Sequence, residues 1–248
     1  MEYKHWLKGI VVAAALVSGV AQAGTVTNPD LVGSATISDG TSSGSWSLGS
    51  GASFSTNPDG TFTYNSGVSG TLWDFGWDLT VNPDPFISGT LTVVNKSTNT
   101  THFNILFTLP VGTGFVPAYK SGSLSGSFQD FNGNGLGADN SAGLSNINWN
   151  GFIDGSNALA LSTFDVSCSG SSPGCSGLVG PVSDGPLLHA GGVSSTIGIQ
   201  LSFDLTAGDK ATFTNLFEVM PVPIPAAVWL FGSGLLGLGA LARRRRSS

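Results

Sequence analysis

Ile197-Gly198-Ile199-Gln200-Leu201-Ser202-Phe203-Asp204-Leu205 keeps strict period two, with its large apolar side chains on one face and Gly, Gln, Ser and Asp on the other. That alternation belongs to a strand with one buried and one solvated face. The same pattern recurs at Thr61-Phe62-Thr63-Tyr64, Thr90-Leu91-Thr92-Val93-Val94, Phe103-Asn104-Ile105-Leu106-Phe107-Thr108-Leu109 and Ala211-Thr212-Phe213-Thr214-Asn215-Leu216-Phe217-Glu218-Val219. Turn chemistry punctuates these runs at Asn57-Pro58-Asp59-Gly60, Asn82-Pro83-Asp84-Pro85, Asn132-Gly133-Asn134-Gly135 and Ala207-Gly208-Asp209-Lys210. No segment between the termini sustains a 3.6-residue apolar period for three turns. The expected fold is all-β, an antiparallel β-sandwich or jelly-roll-like domain.

With 248 residues the chain is long enough for one sizeable β-domain, expected over residues 24–221. Its first thirty residues are rich in Gly, Ser and Thr and are expected to be partly loose. Charge is segregated. Lys96, Lys120 and Lys210 are the only basic side chains of that central region, against fourteen acidic ones from Asp30 to Glu218, a balance of −11. A body so acidic repels phosphate backbones, which argues against nucleic-acid binding.

The two ends are a separate matter. Lys4 and Lys8 precede an apolar stretch from Gly9 to Val20, and Ala21-Gln22-Ala23 places small residues at the −3 and −1 positions of a cleavage site. Residues 1–23 therefore read as a signal peptide for the Sec translocon and signal peptidase, with an uncleaved N-terminal anchor as the alternative. At the other end Val222-Pro223-Ile224-Pro225 forms a stiff tract, followed by 17 uncharged residues, Ala226 to Ala242, and by Arg243, Arg244, Arg245 and Arg246. As a helix, 226–242 would measure about 26 Å, close to the hydrocarbon core of a bilayer. Pro225 suits its first turn, Trp229 its interfacial end, and the arginines a cytoplasmic stop.

Val222-Pro223-Ile224-Pro225-Ala226-Ala227-Val228-Trp229-Leu230-Phe231-Gly232-Ser233-Gly234-Leu235-Leu236-Gly237-Leu238 with Arg243–Arg246 resembles the PEP-CTERM sorting signal of Gram-negative bacteria, in its Val-Pro-x-Pro-Ala-Ala form. Ile224 stands where the name-giving motif has Glu, and the cleaved bond is left open. The resemblance covers residues 222–248. It implies that an exosortase, a membrane-embedded cysteine transpeptidase-like enzyme, recognises and cleaves the tail. It also implies a destination at the cell surface or in an exopolysaccharide-rich matrix, after periplasmic-side anchoring in the inner membrane. Residues Val94–Val111 and Ser125–Gly135 further resemble bodies fused to such tails, which carry no settled activity.

Several constellations have a functional and a plain reading. Cys168 and Cys175 are the only cysteines, and in an oxidising compartment a disulfide is the expectation, closing a short loop worth about 2–3 kcal/mol. Asp130-x-Asn132-x-Asn134-Gly135 copies the first half of an EF-hand loop, in which alternating oxygen ligands precede an obligatory glycine. Position nine is Ala138 and position twelve is Ser141, so a bare Asn-Gly turn is expected, with Ca²⁺ as the alternative and no other cofactor. Trp73, Phe75 and Trp77 alternate with Asp74, Gly76 and Asp78, which sets three aromatics on one strand face. Buried they are core; exposed, Trp73 and Trp77 would stack on sugars. Two Gly-x-Ser-x-Gly matches, at Gly40–Gly44 and Gly170–Gly174, lack the strand-to-helix setting of a nucleophile elbow, and neither His102 nor His189 forms a recognisable triad with them. Gly232-Ser233-Gly234-Leu235-Leu236-Gly237 fits a dinucleotide fingerprint only formally, since it lies inside the tail without a βαβ unit.

The expectation is thus a non-enzymatic, exported and exosortase-processed protein of the surface or matrix, structural or adhesive in role. A carbohydrate-binding module comes second and a secreted hydrolase third. The partners expected are the export and processing enzymes, exopolysaccharide and, before processing, the membrane.

Overall fold

A computed structural model describes residues 29–49, 52–138, 147–164, 166–168, 176–223 and 230–238. In chain order the strands are β1 (Val32–Ser38), β2 (Ser43–Leu48), β3 (Ser55–Thr56), β4 (Phe62–Ser69), β5 (Trp73–Asn82), β6 (Phe86–Asn95), β7 (Thr101–Pro110) and β8 (Ala118–Gln129). They continue as β9 (Leu136–Ala138), β10 (Ile147–Ile153), β11 (Ser156–Phe164), β12 (Val166–Cys168), β13 (Ser176–His189), β14 (Thr196–Leu205) and β15 (Lys210–Pro221).

Thirteen of these form two sheets. One has six strands in the order β11-β10-β14-β7-β1-β2, the other seven in the order β13-β8-β15-β6-β5-β4-β3, and β12 and β9 make a separate pair. Every pairing is antiparallel. The inner faces meet through aromatic rings. Phe103 and Phe203 of the first sheet stack at 5.5 Å, and Phe203 lies 4.8 Å from Phe213 of the second. Ile197, Ile199, Leu201, Phe203 and Leu205 are all buried, so the alternation of β14 sets its face as the sequence pattern predicts. The all-β sandwich expectation holds, and the four turn segments fall between strands or in the loop after β8.

The Gly/Ser-rich start of the domain is more regular than expected. β1 pairs β7 from Val32↔Thr108 to Ser38↔His102, and β2 pairs β1 from Gly33↔Leu48 to Ser38↔Ser43. Its low hydrophobicity has a packing cause. A Cβ at Gly33 would stand 2.9 Å from both Phe107 Cε1 and Trp46 Cη2, so this inward position of β1 is small because large rings already fill the space.

β13 escaped the sequence reading because it contains Pro181 and Pro186. It is an edge strand whose register to β8 shifts between Val179 and Val182 and again between Asp184 and Leu187. Both shifts fall at Gly-Pro steps, where Gly180 and Gly185 take φ of 68° and 111°. Prolines sit at sheet edges and bulges because they cannot donate to a ladder.

Residues 230–238 are helical and their side chains are exposed, Leu230 to 72%, Phe231 to 69% and Leu236 to 78%. Among the described residues no helix is long and apolar enough to cross a membrane. The expected signal peptide, with Ala21 and Ala23, lies outside the described residues, as do Pro225, Ala226, Ala227, Trp229, Arg243, Arg244, Arg245 and Arg246.

Candidate functional site

The connections at one end of the sandwich are built from polar side chains that cap each other's backbone. Asn95, fully buried, donates through Nδ2 to the carbonyls of Leu205 (2.8 Å), Asn99 (2.9 Å) and Thr206 (3.0 Å) and accepts at Oδ1 from Ser97 N and Thr101 Oγ1. Its own amide donates to Asp209 O at 2.9 Å. This fixes the β14–β15 turn, residues 206–209, against the β6–β7 connection. Ser97 Oγ then donates to Asp39 Oδ2 at 2.8 Å, which ties in the β1–β2 turn.

The half EF-hand loop folds against the same turn. Asp130, 0% exposed, accepts at Oδ1 from the amides of Asn132 (3.0 Å) and Gly133 (2.7 Å) and at Oδ2 from that of Gly135 (3.1 Å). Asn132 Nδ2 and Asn134 Nδ2 both reach across to Ala207 O, at 2.7 and 3.0 Å. Gly208 has φ of +77°, and a Cβ there would run into the Asn132 side-chain amide, so only glycine lets the two loops come this close.

Asp209, also 0% exposed, lies against Asp130. Thr206 Oγ1 donates to its Oδ2, while its Oδ1 is buried with no hydrogen-bond partner. The two carboxyls are pushed apart in acidity. Burial raises Asp209 to about 6, with the Asp130 charge adding to the rise and the Thr206 hydroxyl and Phe131 amide opposing it. Burial also acts on Asp130, but the amides of Gly133, Gly135 and Asn132 outweigh it and hold that carboxyl below its usual range. Asp209 is the residue that sequence reading missed. It sits in a segment with ordinary turn chemistry, and nothing local marks it as the partner of an aspartate over seventy residues earlier.

The remaining candidates are distributed differently. Trp73 and Trp77 are only 5% and 6% exposed, packed with Phe75 under Trp46 of the facing sheet, with Trp46 and Trp77 centroids 4.8 Å apart. The sugar-stacking use of this row is therefore corrected: the rings are core. Cys168 ends β12 opposite Leu136, and Cys175 lies outside the described residues, as does Ser141. Val222 and Pro223 follow β15 directly, with Val222 N donating to Pro117 O at 3.3 Å.

Two further clusters went unseen in the sequence. Asp154 begins the β10–β11 turn with φ of 51°, and its carboxylate collects the amides of Ser194, Ser195 and Thr196 and both serine hydroxyls. Burial opposes ionisation here, yet these donors together hold the carboxyl well below its ordinary range. On the outer face of the six-stranded sheet, His102 Nδ1 lies 2.9 Å from Asp204 Oδ1, and Ser202 Oγ lies 3.3 Å from His102 Nε2. Cross-strand register makes this row, since Asp204 pairs with His102 and Ser202 follows the same face. It has the connectivity of a nucleophile, base and acid. The register around Ser202 commits the strand to β7 on one side and β10 on the other, so its backbone amides serve ladders rather than an oxyanion site.

Among the described residues no three His, Cys, Asp or Glu side chains gather in one cluster. No protein-family model matches the chain, and no curated protein proves similar to it.

Proposed function

We propose that this is an exported β-sandwich protein, held at the membrane by its C-terminal tail and processed by an exosortase for display or release, with a structural or adhesive role. The observation that carries the proposal is the tail itself, Val222-Pro223-Ile224-Pro225-Ala226-Ala227 leading into an uncharged run and Arg243–Arg246. The exposure of Leu230, Phe231, Leu235 and Leu236 supports it, because a helix whose apolar side chains find no cover on the β-domain suits burial in lipid or in a processing enzyme. Residues 1–23 would direct export through the Sec translocon and signal peptidase, and the acidic body is suited to a solvated matrix and unsuited to nucleic acid. The expected Cys168–Cys175 disulfide belongs to the same oxidising destination.

Deleting residues 222–248 should release soluble protein into the periplasm; truncated protein that stays membrane-bound would count against the anchor. Mass spectrometry of both mature termini, with and without the host's exosortase, reads the processing directly.

Burial of Trp73 and Trp77 takes away the residues on which a carbohydrate-binding role rested. A secreted hydrolase retains one observation in its favour, the Ser202–His102–Asp204 row. A fluorophosphonate probe that labels the chain, and fails to label Ser202→Ala, would establish that activity. No labelling of the folded protein would dismiss it.

A further inference from the structure

We propose that the two loops meeting at Asp130 and Asp209 form a binding site for Ca²⁺. The half ligand set of Asp130, Asn132 and Asn134 is completed by Asp209 and the carbonyl of Ala207 from the turn that leads into the neighbouring strand β15, rather than along the loop as in an EF-hand.

The deciding observation is the Asp209 carboxyl. It is 0% exposed, it lies against a second fully buried carboxyl, and its Oδ1 has no donor. A buried carboxylate oxygen without a partner is costly, and a second buried negative charge beside it adds to that cost. A cation between the carboxyls removes both penalties.

The surroundings select the cation. The five groups are all oxygen ligands, two carboxylates, two side-chain amides and a carbonyl, which suits a hard ion and not zinc. Asn132 Nδ2 and Asn134 Nδ2 already converge on Ala207 O. Rotating an asparagine amide by half a turn exchanges N for O in nearly the same place, so each can present an oxygen. Five protein oxygens from two loops match Ca²⁺ better than Mg²⁺, which takes few protein ligands and keeps several waters. With two charged ligands the affinity belongs to the extracellular range, Kd of about 10⁻⁴–10⁻³ M.

The test uses the full chain, purified in detergent and stripped with EGTA, followed by thermal unfolding and calorimetric titration with CaCl₂. At about ten times Kd, Ca²⁺ should raise Tm by roughly 3–5 °C. Asp209→Asn should abolish that rise and the calorimetric signal. It should also raise Tm in EGTA, because the amide can donate to Asp130 where a carboxylate cannot. Asn134→Ala, at an exposed position, should fold normally and weaken Ca²⁺ binding several-fold. The proposal is overturned if Ca²⁺ leaves Tm unchanged, if Asp209→Asn keeps the full response, or if MgCl₂ at equal concentration gives the same shift.

Discussion

The aromatic row of β5 and the Asp130 loop posed the same question, whether a conspicuous cluster is a binding surface or plain structure, and the fold surrounds the two in opposite ways. Trp73, Phe75 and Trp77 meet a facing sheet whose Trp46 and Phe103 cover them. Asp130 meets a turn that brings another carboxylate. Neither outcome lies in the cluster itself. Each is decided by what a distant segment places opposite it, apolar rings in one case and a charge of the same sign in the other.

The sharpest way to break this comparison is to remove a ring. Trp77→Ala should cost about 3–5 kcal/mol in denaturant unfolding, because its neighbours cannot close the space. Any loss of glycan retention in that variant should track loss of folding. Retention lost in a fully folded Trp77→Ala protein would restore the row to a binding role. Gly208→Ala is the counterpart at the loops. It forces a left-handed residue to carry a Cβ into Asn132, for a loss of about 1–3 kcal/mol, and should blunt the response to Ca²⁺ while leaving the aromatic core intact.

How much of this could be read from the chain follows from range. Period-two patterns at Ile197–Leu205 and Phe103–Leu109 are local, and the strands stand where they predict. β1 was hidden by Gly33 and Ala35 on its inward face, and the size of Gly33 makes sense only beside Trp46 and Phe107. β13 was hidden by its prolines. The loop candidate was half legible: Asp130, Asn132 and Asn134 announce themselves by spacing, while Asp209 becomes relevant only once β15 has paired with β8 and drawn its leading turn alongside. The Ser202–His102–Asp204 row likewise needs the β7–β14 register before it exists.

Acid provides a gentler probe, directed at carboxylates that find donors instead of a rival charge. Asp154 and Asp39 are both held well below the ordinary carboxylate range, Asp39 chiefly by the amide of Ser42 with Ser97 and Thr41 assisting. A lowered native pKa means the unfolded chain takes up the proton first. The stability these groups lend is present above about pH 4 and drains away as pH falls toward their native values. Asp154→Asn should therefore lower stability at neutral pH and flatten the acid limb of a Tm-against-pH profile. An unchanged profile would mean that the serine cradle holds the turn without the charge. The smallest effect is expected at Lys96, whose ion pair with Asp74 at 3.1 Å is exposed on both sides; Lys96→Ala should cost under about 1 kcal/mol, less still at high salt.

β13 bears on what this protein can become when many copies are crowded together. A 14-residue strand at a sheet edge, with Leu178 79% and Leu188 62% exposed, offers the raw material for chain-to-chain growth into fibrils. Pro181 and Pro186 leave that strand two amide donors short, and the two register shifts break it into short lengths. No neighbour can zip along it. Crowded copies can thus lie side by side as separate particles, and any cohesion among them must come from side chains rather than from one continuous backbone ladder.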